Sequence, residues 1–401
     1  MKILSYGDNP KTSSGYGQIW DNLLSRWAKI KPDWEFIHVG WQNHDRPHKI
    51  EGYTMLPLFK VEYGFDTVFP YLMKYQPDVL LTMADVGISA GFIDAVNEAK
   101  KKGWRGKWMA ISLFDTESWE YMVWSQILDF PDINIAGAKN GEVHMLNNNV
   151  KNVRYIPFGV DSKIYYPLSN KEELKKKFNL SNKFVVGFVG KNQRRKTLPN
   201  LIKGFSKFSK GKNDVTLLLH TDVESAAGWL LPSIICKYEY FNDPELQKPS
   251  PKVITTKTNL DVRLRQTITP ESMNEIYNLM DVYCYAVGGE GYGLPGIECQ
   301  SAGVPMMMTD YAAAVEIVSD KDMFIPVLKD KYGRQVTEIG ANGVENAIPD
   351  DLEIAEMLER TYKEWKEGKL EDRRQRARNF ALRYDWDLLA PKWIKLFEEE
   401  A

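Results

Sequence analysis

Short apolar runs of strand character alternate along this chain with longer stretches of helical periodicity, the order expected when parallel strands are joined by crossover helices. The class that follows is α/β. In the first half, Lys2 to Tyr6, Glu35 to Val39, Asp78 to Thr82 and Lys107 to Leu113 read as strands, with helices over Gly17 to Lys29 and Ile88 to Lys101. A second array starts afresh at Phe184. Here Phe184 to Val189, Val215 to Leu219, Val282 to Ala286 and Met306 to Thr309 read as strands, and Leu198 to Phe208, Pro270 to Met280 and Pro295 to Ala302 as helices. Between the arrays, Pro157, Pro167 and the lysine-rich stretch Ser169 to Lys183 read as a linker or boundary. From Asp350 onward only helices are expected. The last of them, Trp386 to Glu399, carries Trp386, Leu389, Trp393 and Phe397 on one side, a stripe that must cover something apolar.

The charge balance asks for no polyanionic partner. Lysine and arginine number 52 against 54 aspartate and glutamate, a net charge of -2, so nucleic acid is not expected and any polyanion must be met locally. Cys236, Cys284 and Cys299 form no Cys-x-x-Cys pair, which points to a reducing compartment and away from structural zinc; the five histidines have no ligand spacing either, and no metal site is expected. The apolar runs Met1 to Gly7 and Trp229 to Cys236 are too short for a signal peptide or a membrane span. A cytoplasmic chain is the expectation. Its 12 tryptophans suggest ring-lined clefts as well as cores.

The chemistry concentrates in three glycine-rich or basic turns. Gly288-Gly-Glu-Gly-Tyr-Gly-Leu-Pro-Gly-Ile-Glu298 follows a strand and opens a helix, so its glycines let amides approach a ligand and the helix start offers positive dipole to an anion. Glu290 lies in the loop and Glu298 about one turn into the helix, flanking one small cavity from different elements, with Glu298 facing the crevice. Glu298 also reads as a simple partner of the helix dipole. The same letters spell Gly291-x-Gly-x-x-Gly296, a literal dinucleotide fingerprint, so an oxidoreductase stays open as an alternative. Against it, the fingerprint belongs in the first βα turn of its domain. Gly190-Lys-Asn-Gln-Arg-Arg-Lys196 ends the first strand of the second array with four cations in seven residues, suited to clamp a diphosphate or to lie solvated in a loop. Thr12-Ser-Ser-Gly-Tyr-Gly17 is a weaker turn of the same kind, equally readable as a helix cap.

Taken together, Gly190 with Arg195-Lys196, then Met273-x-x-Ile-Tyr-x-x-Met-Asp281, then Glu290 and Glu298 with seven residues between, then Ala302-Gly-Val-Pro305, resemble the retaining glycosyltransferases of the GT-B fold, family four, group 1. Ser13-Ser-Gly-Tyr-Gly17, Ile156-Pro-Phe-Gly-Val-Asp161 and Arg378-Asn-Phe-x-x-x-Tyr-Asp-Trp386 extend the resemblance over nearly the whole chain. The resemblance implies two Rossmann-like domains facing across a cleft, residues 1–163 on the acceptor side and 164–384 binding the nucleotide sugar, with 385–401 crossing back to the first. It implies transfer of a hexose from a GDP-mannose or UDP-glucose type donor to a carbohydrate, lipid-linked or other hydroxyl, with no metal and no cofactor beyond the donor itself. A nucleotide-sugar-binding module without turnover is the other alternative.

Residue by residue, the resemblance puts Arg195 and Lys196 on the donor diphosphate, Glu298 on the ribose hydroxyls and Glu290 on the transferred sugar. Gly190, Gly291, Tyr292, Gly293 and Leu294 then lie by the donor, Gly15 and Gly17 close from the first domain, and the base sits near Arg263-Leu-Arg-Gln266, with Arg265 beside it. One departure stands out. Where many family members carry a His-Asp pair after the strand Trp108-Met-Ala-Ile-Ser-Leu-Phe-Asp115, this chain has Phe114, and Asp115 or a neighbouring carbonyl is the substitute at the reacting sugar. Charge growing on the leaving diphosphate needs donors such as Arg195 and Lys196, each worth ~3–4 kcal/mol in a water-poor site. Asp385-x-Asp387 reads as a helix cap rather than a metal motif. Trp41, Trp119, Tyr121 and Trp124 are either a sugar-stacking cleft or core. Lys100-Lys-Lys-Gly-Trp-Arg-Gly-Lys107 either grazes anionic lipid, a weak peripheral membrane contact, or is a solvated helix end.

Overall fold

The computed structural model describes residues 1–12, 14–41, 43–59, 62–117, 122–241, 252–257, 268–340 and 343–401. They form two compact units: Met1–Phe114, Trp119–Gly159 and Tyr384–Ala401 make the first, Asp115–Ser118 and Val160–Arg383 the second. Each is built on its own predominantly parallel sheet with helical crossovers.

The first unit holds β1 (Lys2–Asp8), β2 (Glu35–Trp41), β3 (His48–Ile50), β4 (Tyr53–Leu56), β5 (Val79–Met83), β6 (Lys107–Ser112), β7 (Ile133–Ala136) and β8 (Val153–Tyr155). Their order is β3-β4-β2-β1-β5-β6-β7-β8, with every neighbouring pair parallel except β3 and β4. Strands β3, β4, β7 and β8, of three or four residues each, are not among those read from the sequence. The helix Gly15–Ile30 is capped by Ser14, whose side chain accepts from Gly17 N at 2.9 Å. It receives the last helix, Trp386–Glu400: Trp27 packs 5.8 Å from Trp393 and 5.1 Å from Phe397, ring centre to ring centre. Trp386, Leu389, Trp393 and Phe397 are all buried, so the apolar stripe covers the core of the first unit. Asp385 caps that helix by accepting from Asp387 N at 2.7 Å, and Arg26 pairs with Asp387, which gives the Asp-x-Asp a structural role.

The second unit holds β9 (Phe184–Val189), β10 (Val215–Thr221), β11 (Val253–Lys257), β12 (Val282–Tyr285), β13 (Met306–Thr309) and β14 (Phe324–Ile325) in the all-parallel order β11-β10-β9-β12-β13-β14. Every residue of β9 is buried, as a central strand covered on both faces requires.

One expectation is corrected here. Of the two readings of the lysine-rich stretch Ser169 to Lys183, a linker or a boundary, the linker does not hold: Lys171–Lys177 is a helix of the second unit, and its Lys171 and Lys175 are buried. Lys171 Nζ lies 2.9 Å and Lys175 Nζ 2.6 Å from the buried Asp281 carboxylate, and Lys171 also donates to Met280 O at 2.6 Å. A charge run looks solvated in the sequence because the buried carboxylate that neutralises it lies more than a hundred residues away.

Candidate functional site

Strand order decides where a ligand goes. From β9 the chain proceeds outward through β10 to β11, whereas β12 leads through β13 to β14 in the other direction, so β9 and β12 are neighbours whose connections diverge. In open α/β sheets the crevice outside the carboxyl ends of two such strands is the binding place. The segments that leave there are Gly190 to Lys196 and Ala286 to Gly293, the two richest motifs of the sequence.

They are stitched together by hydrogen bonds from backbone and side chains. Gly288 N donates to Arg195 O at 2.7 Å, Thr197 Oγ1 donates to Ala286 O at 2.6 Å, and Arg195 Nη1 donates to Gly289 O at 2.7 Å. Two glycines are required by this geometry. A Cβ on Gly289 would stand 1.9 Å from Asp115 O, and Gly293, at φ +96°, precedes the helix Leu294–Ser301 in a left-handed conformation that side chains disfavour.

At the centre stands Glu290. Its Oε2 accepts from Lys196 Nζ, from Arg195 Nη1 at 3.2 Å and from the Tyr285 hydroxyl. Arg195 Nε also lies 3.4 Å from Asp115 Oδ2, so two cations face two carboxylates. Burial would raise the Glu290 pKa, but Arg195 and then Lys196 overcome it and hold the carboxyl down at about 2. Burial, reinforced by Arg195, brings the buried Lys196 ammonium down to about 8 against the pull of Glu290. For Arg195 the burial penalty is outweighed by Glu290 and Asp115, and its pKa rises above the ordinary value. The cations near position 195 and the glycine turn before Pro295 are therefore in direct contact, with the Glu290 carboxylate between them.

Glu298 lies in the helix Leu294–Ser301 and is only 8% exposed; its Oε2 accepts from Tyr277 OH at 2.7 Å. Burial raises its pKa to about 7, with the Tyr277 and Tyr165 hydroxyls opposing. Gly291, Tyr292 and Gly293 are buried and Leu294 half-buried; at the start of the helix Pro295 has no N–H to offer, and Gly296 N donates to Gly293 O at 2.8 Å. Gly190 closes β9, its N–H donating to His220 O at 3.2 Å. Arg194 is exposed and stacks 4.8 Å over the Trp229 ring. Arg263 to Gln266, Arg265 included, lie outside the described residues.

In the first unit, Gly15 opens its helix and is exposed, while Gly17 is buried against Thr12, Asn9 and Ser14. Trp41 is core there, 4.9 Å from the Tyr63 ring, and Trp124 is half-buried in a second apolar cluster; Trp119 and Tyr121 lie outside the described residues. Lys100 is bound by Asp132 at 2.7 Å. Among the described residues no helix is long and apolar enough to cross a membrane.

The sequence assigns no site role to Tyr285, and shows Tyr277 only within the motif Met273 to Asp281. A tyrosine ending a buried strand looks like core, and only an adjacent carboxylate, invisible locally, marks its hydroxyl as part of a site. The dinucleotide fingerprint, for its part, follows β12, the fourth strand of its unit in chain order, and not the first.

Residues 170–342 match the family model described as glycosyl transferases group 1. The chain is similar to the capsular polysaccharide biosynthesis glycosyltransferase CapM of Staphylococcus aureus, 26% identical over 252 residues, 58% of this chain and 59% of CapM. The curated relatives it matches are thus spanned over less than two thirds of their length, 59% and 55% for two of them. Among solved structures, sucrose-phosphate synthase from Thermosynechococcus elongatus superposes with a TM-score of 0.74 at 14% identity, over 100% of this chain and 98% of that one. HepE of Anabaena, in complex with UDP-glucose, superposes with a TM-score of 0.68 at 13% identity over 100% of both chains. The fold is that of the GT-B glycosyltransferases.

Proposed function

We propose, from the match of residues 170–342 to the family model of glycosyl transferases group 1, that the chain transfers a hexosyl group, with retention, from a nucleoside-diphosphate sugar to the hydroxyl of a carbohydrate or lipid-linked acceptor. The observation that carries the reading is the convergence of Arg195, Lys196 and Glu290 at the carboxyl ends of β9 and β12. Arg195 and Lys196 take the growing charge of the leaving diphosphate, together with the Gly293 and Leu294 amides at the helix start, so the transfer proceeds without a divalent ion. Glu290 orients hydroxyls of the sugar as its ring gains oxocarbenium character, and the donor phosphate helps remove the acceptor proton on the same face. Glu298 meets the ribose, and Asp115, beside Arg195, takes the place of the family's histidine. Arg265 is assigned to the base.

A donor of the UDP-glucose type is favoured by the likeness to HepE, whose structure holds UDP-glucose; a GDP-mannose type donor is the second choice. Calorimetry with UDP, GDP and nicotinamide dinucleotide, followed by donor hydrolysis with UDP-glucose and GDP-mannose, tests the reading. Binding of a nucleoside diphosphate and release of sugar are expected, undiminished by a chelator. Binding of the nicotinamide dinucleotide alone would favour the oxidoreductase, and diphosphate binding without turnover the non-catalytic module. The anomeric configuration of the product, read by proton NMR, decides retention.

A further inference from the structure

We propose that Tyr285 is a positioning residue: its hydroxyl pins one oxygen of Glu290 and leaves the other to meet the transferred sugar. The inference rests on the glycosyltransferase reading above and names a residue that the recognised motifs do not contain. Tyr285 ends β12 and is 1% exposed, so its hydroxyl must find partners inside the protein. It finds two. Lys196 Nζ donates to it at 2.5 Å, and it donates to Glu290 Oε2, while Lys196 also bonds that same oxygen. The three side chains close a ring, with the ammonium resting 4.8 Å from the centre of the Tyr285 ring.

The phenol is itself immobilised. It stacks 5.4 Å from Tyr283, whose hydroxyl is committed to Val189 O at 2.8 Å, and lies 5.8 Å from Phe188 on the neighbouring strand. Burial, with Glu290 beside it, keeps the phenol pKa well above its ordinary value, so it remains a donor at any pH the protein meets. All three contacts converge on Oε2, and Oε1 has no hydrogen-bond partner among the described residues. A carboxylate held by one oxygen keeps a fixed plane for the other. Rigid placement of this kind is worth more to turnover than to ligand affinity.

The experiment is a double-mutant cycle of Tyr285→Phe with Glu290→Gln, reading kcat, donor KM and the dissociation constant of UDP or GDP. Tyr285→Phe is expected to lower kcat about tenfold with diphosphate affinity within about twofold of the parent, and to cause no further loss in the Glu290→Gln background. Tyr283→Phe, on the same strand but away from Glu290, is expected to leave kcat unchanged. Equal losses of kcat in both backgrounds, or a loss matched by Tyr283→Phe, would overturn the assignment. Should Tyr285→Phe not fold, 3-fluorotyrosine at 285 keeps the ring and alters only hydroxyl acidity: kcat should change at 285 and stay put at 283, and no change at 285 counts against the role. A parent chain that neither binds diphosphates nor turns donor over defeats the glycosyltransferase reading itself, an outcome separate from failure of the cycle.

Discussion

Lys196 Nζ and Glu290 Oε2 are bonded to each other, which joins the cation assigned to a phosphate and the carboxylate assigned to a sugar in one largely buried pair. A diphosphate arriving at Lys196 therefore meets a cation that already has a counter-ion, and it must share or displace that partner. Glu290→Gln should cut turnover by about a hundredfold, the scale of losing one well-placed electrostatic group. The same change should tighten UDP or GDP binding, by roughly tenfold if about 1.4 kcal/mol of competition is removed. Calorimetry beside steady-state kinetics separates the two effects. Unchanged turnover would remove Glu290 from the reaction, and weakened diphosphate binding would show it to be a ligand instead of a competitor.

Glu298 gives the second unit a pH dependence. Its folded pKa of about 7 lies above the ordinary 4.5, chiefly through burial. Below the lower value both states are protonated; between the two the folded protein keeps a proton that the unfolded chain has released. Stability from this group is therefore lost as pH rises from about 4.5 to about 7, on the order of 3 kcal/mol in total. Glu298→Gln should flatten that slope. Denaturant unfolding of both proteins at pH 5 and pH 8 is the measurement, and parallel slopes would refute the assignment.

Asp281 is the sole acidic partner described for the buried Lys171 and Lys175. Its carboxyl sits below the ordinary range because the two ammonium groups overcome the upward push of burial, and Lys171 is lowered to about 8, mainly by burial. Asp281→Ala strands two buried cations and should cost about 3–5 kcal/mol. Urea midpoints will show it; a loss below about 1 kcal/mol would mean that water reaches the lysines.

Gly289→Ala would drive a methyl group to within 1.9 Å of Asp115 O, a backbone atom that cannot rotate away. The loop must shift, at about 1–3 kcal/mol. Because Gly289 O also receives Arg195, the shift moves the guanidinium, and kcat/KM should fall by about a hundredfold. Activity retained in full would show that Arg195 tolerates displacement.

The alternation of strand and helix, the buried stripe of the last helix, the cap at Asp385 and the glycine and arginine turns were all legible in the sequence. Each depends on neighbours within one turn or one strand, so local periodicity and residue type suffice. The adjacency of β9 and β12 belongs to the tertiary structure, since strand order is set by packing across the sheet. So does the ion pair of Lys196 with Glu290, which brings together residues 94 apart in the chain. The lysines of Lys171–Lys177 and the phenol of Tyr285 make the same point: burial and a distant carboxylate decide what a charge or a hydroxyl does, and neither is written in the residues beside it.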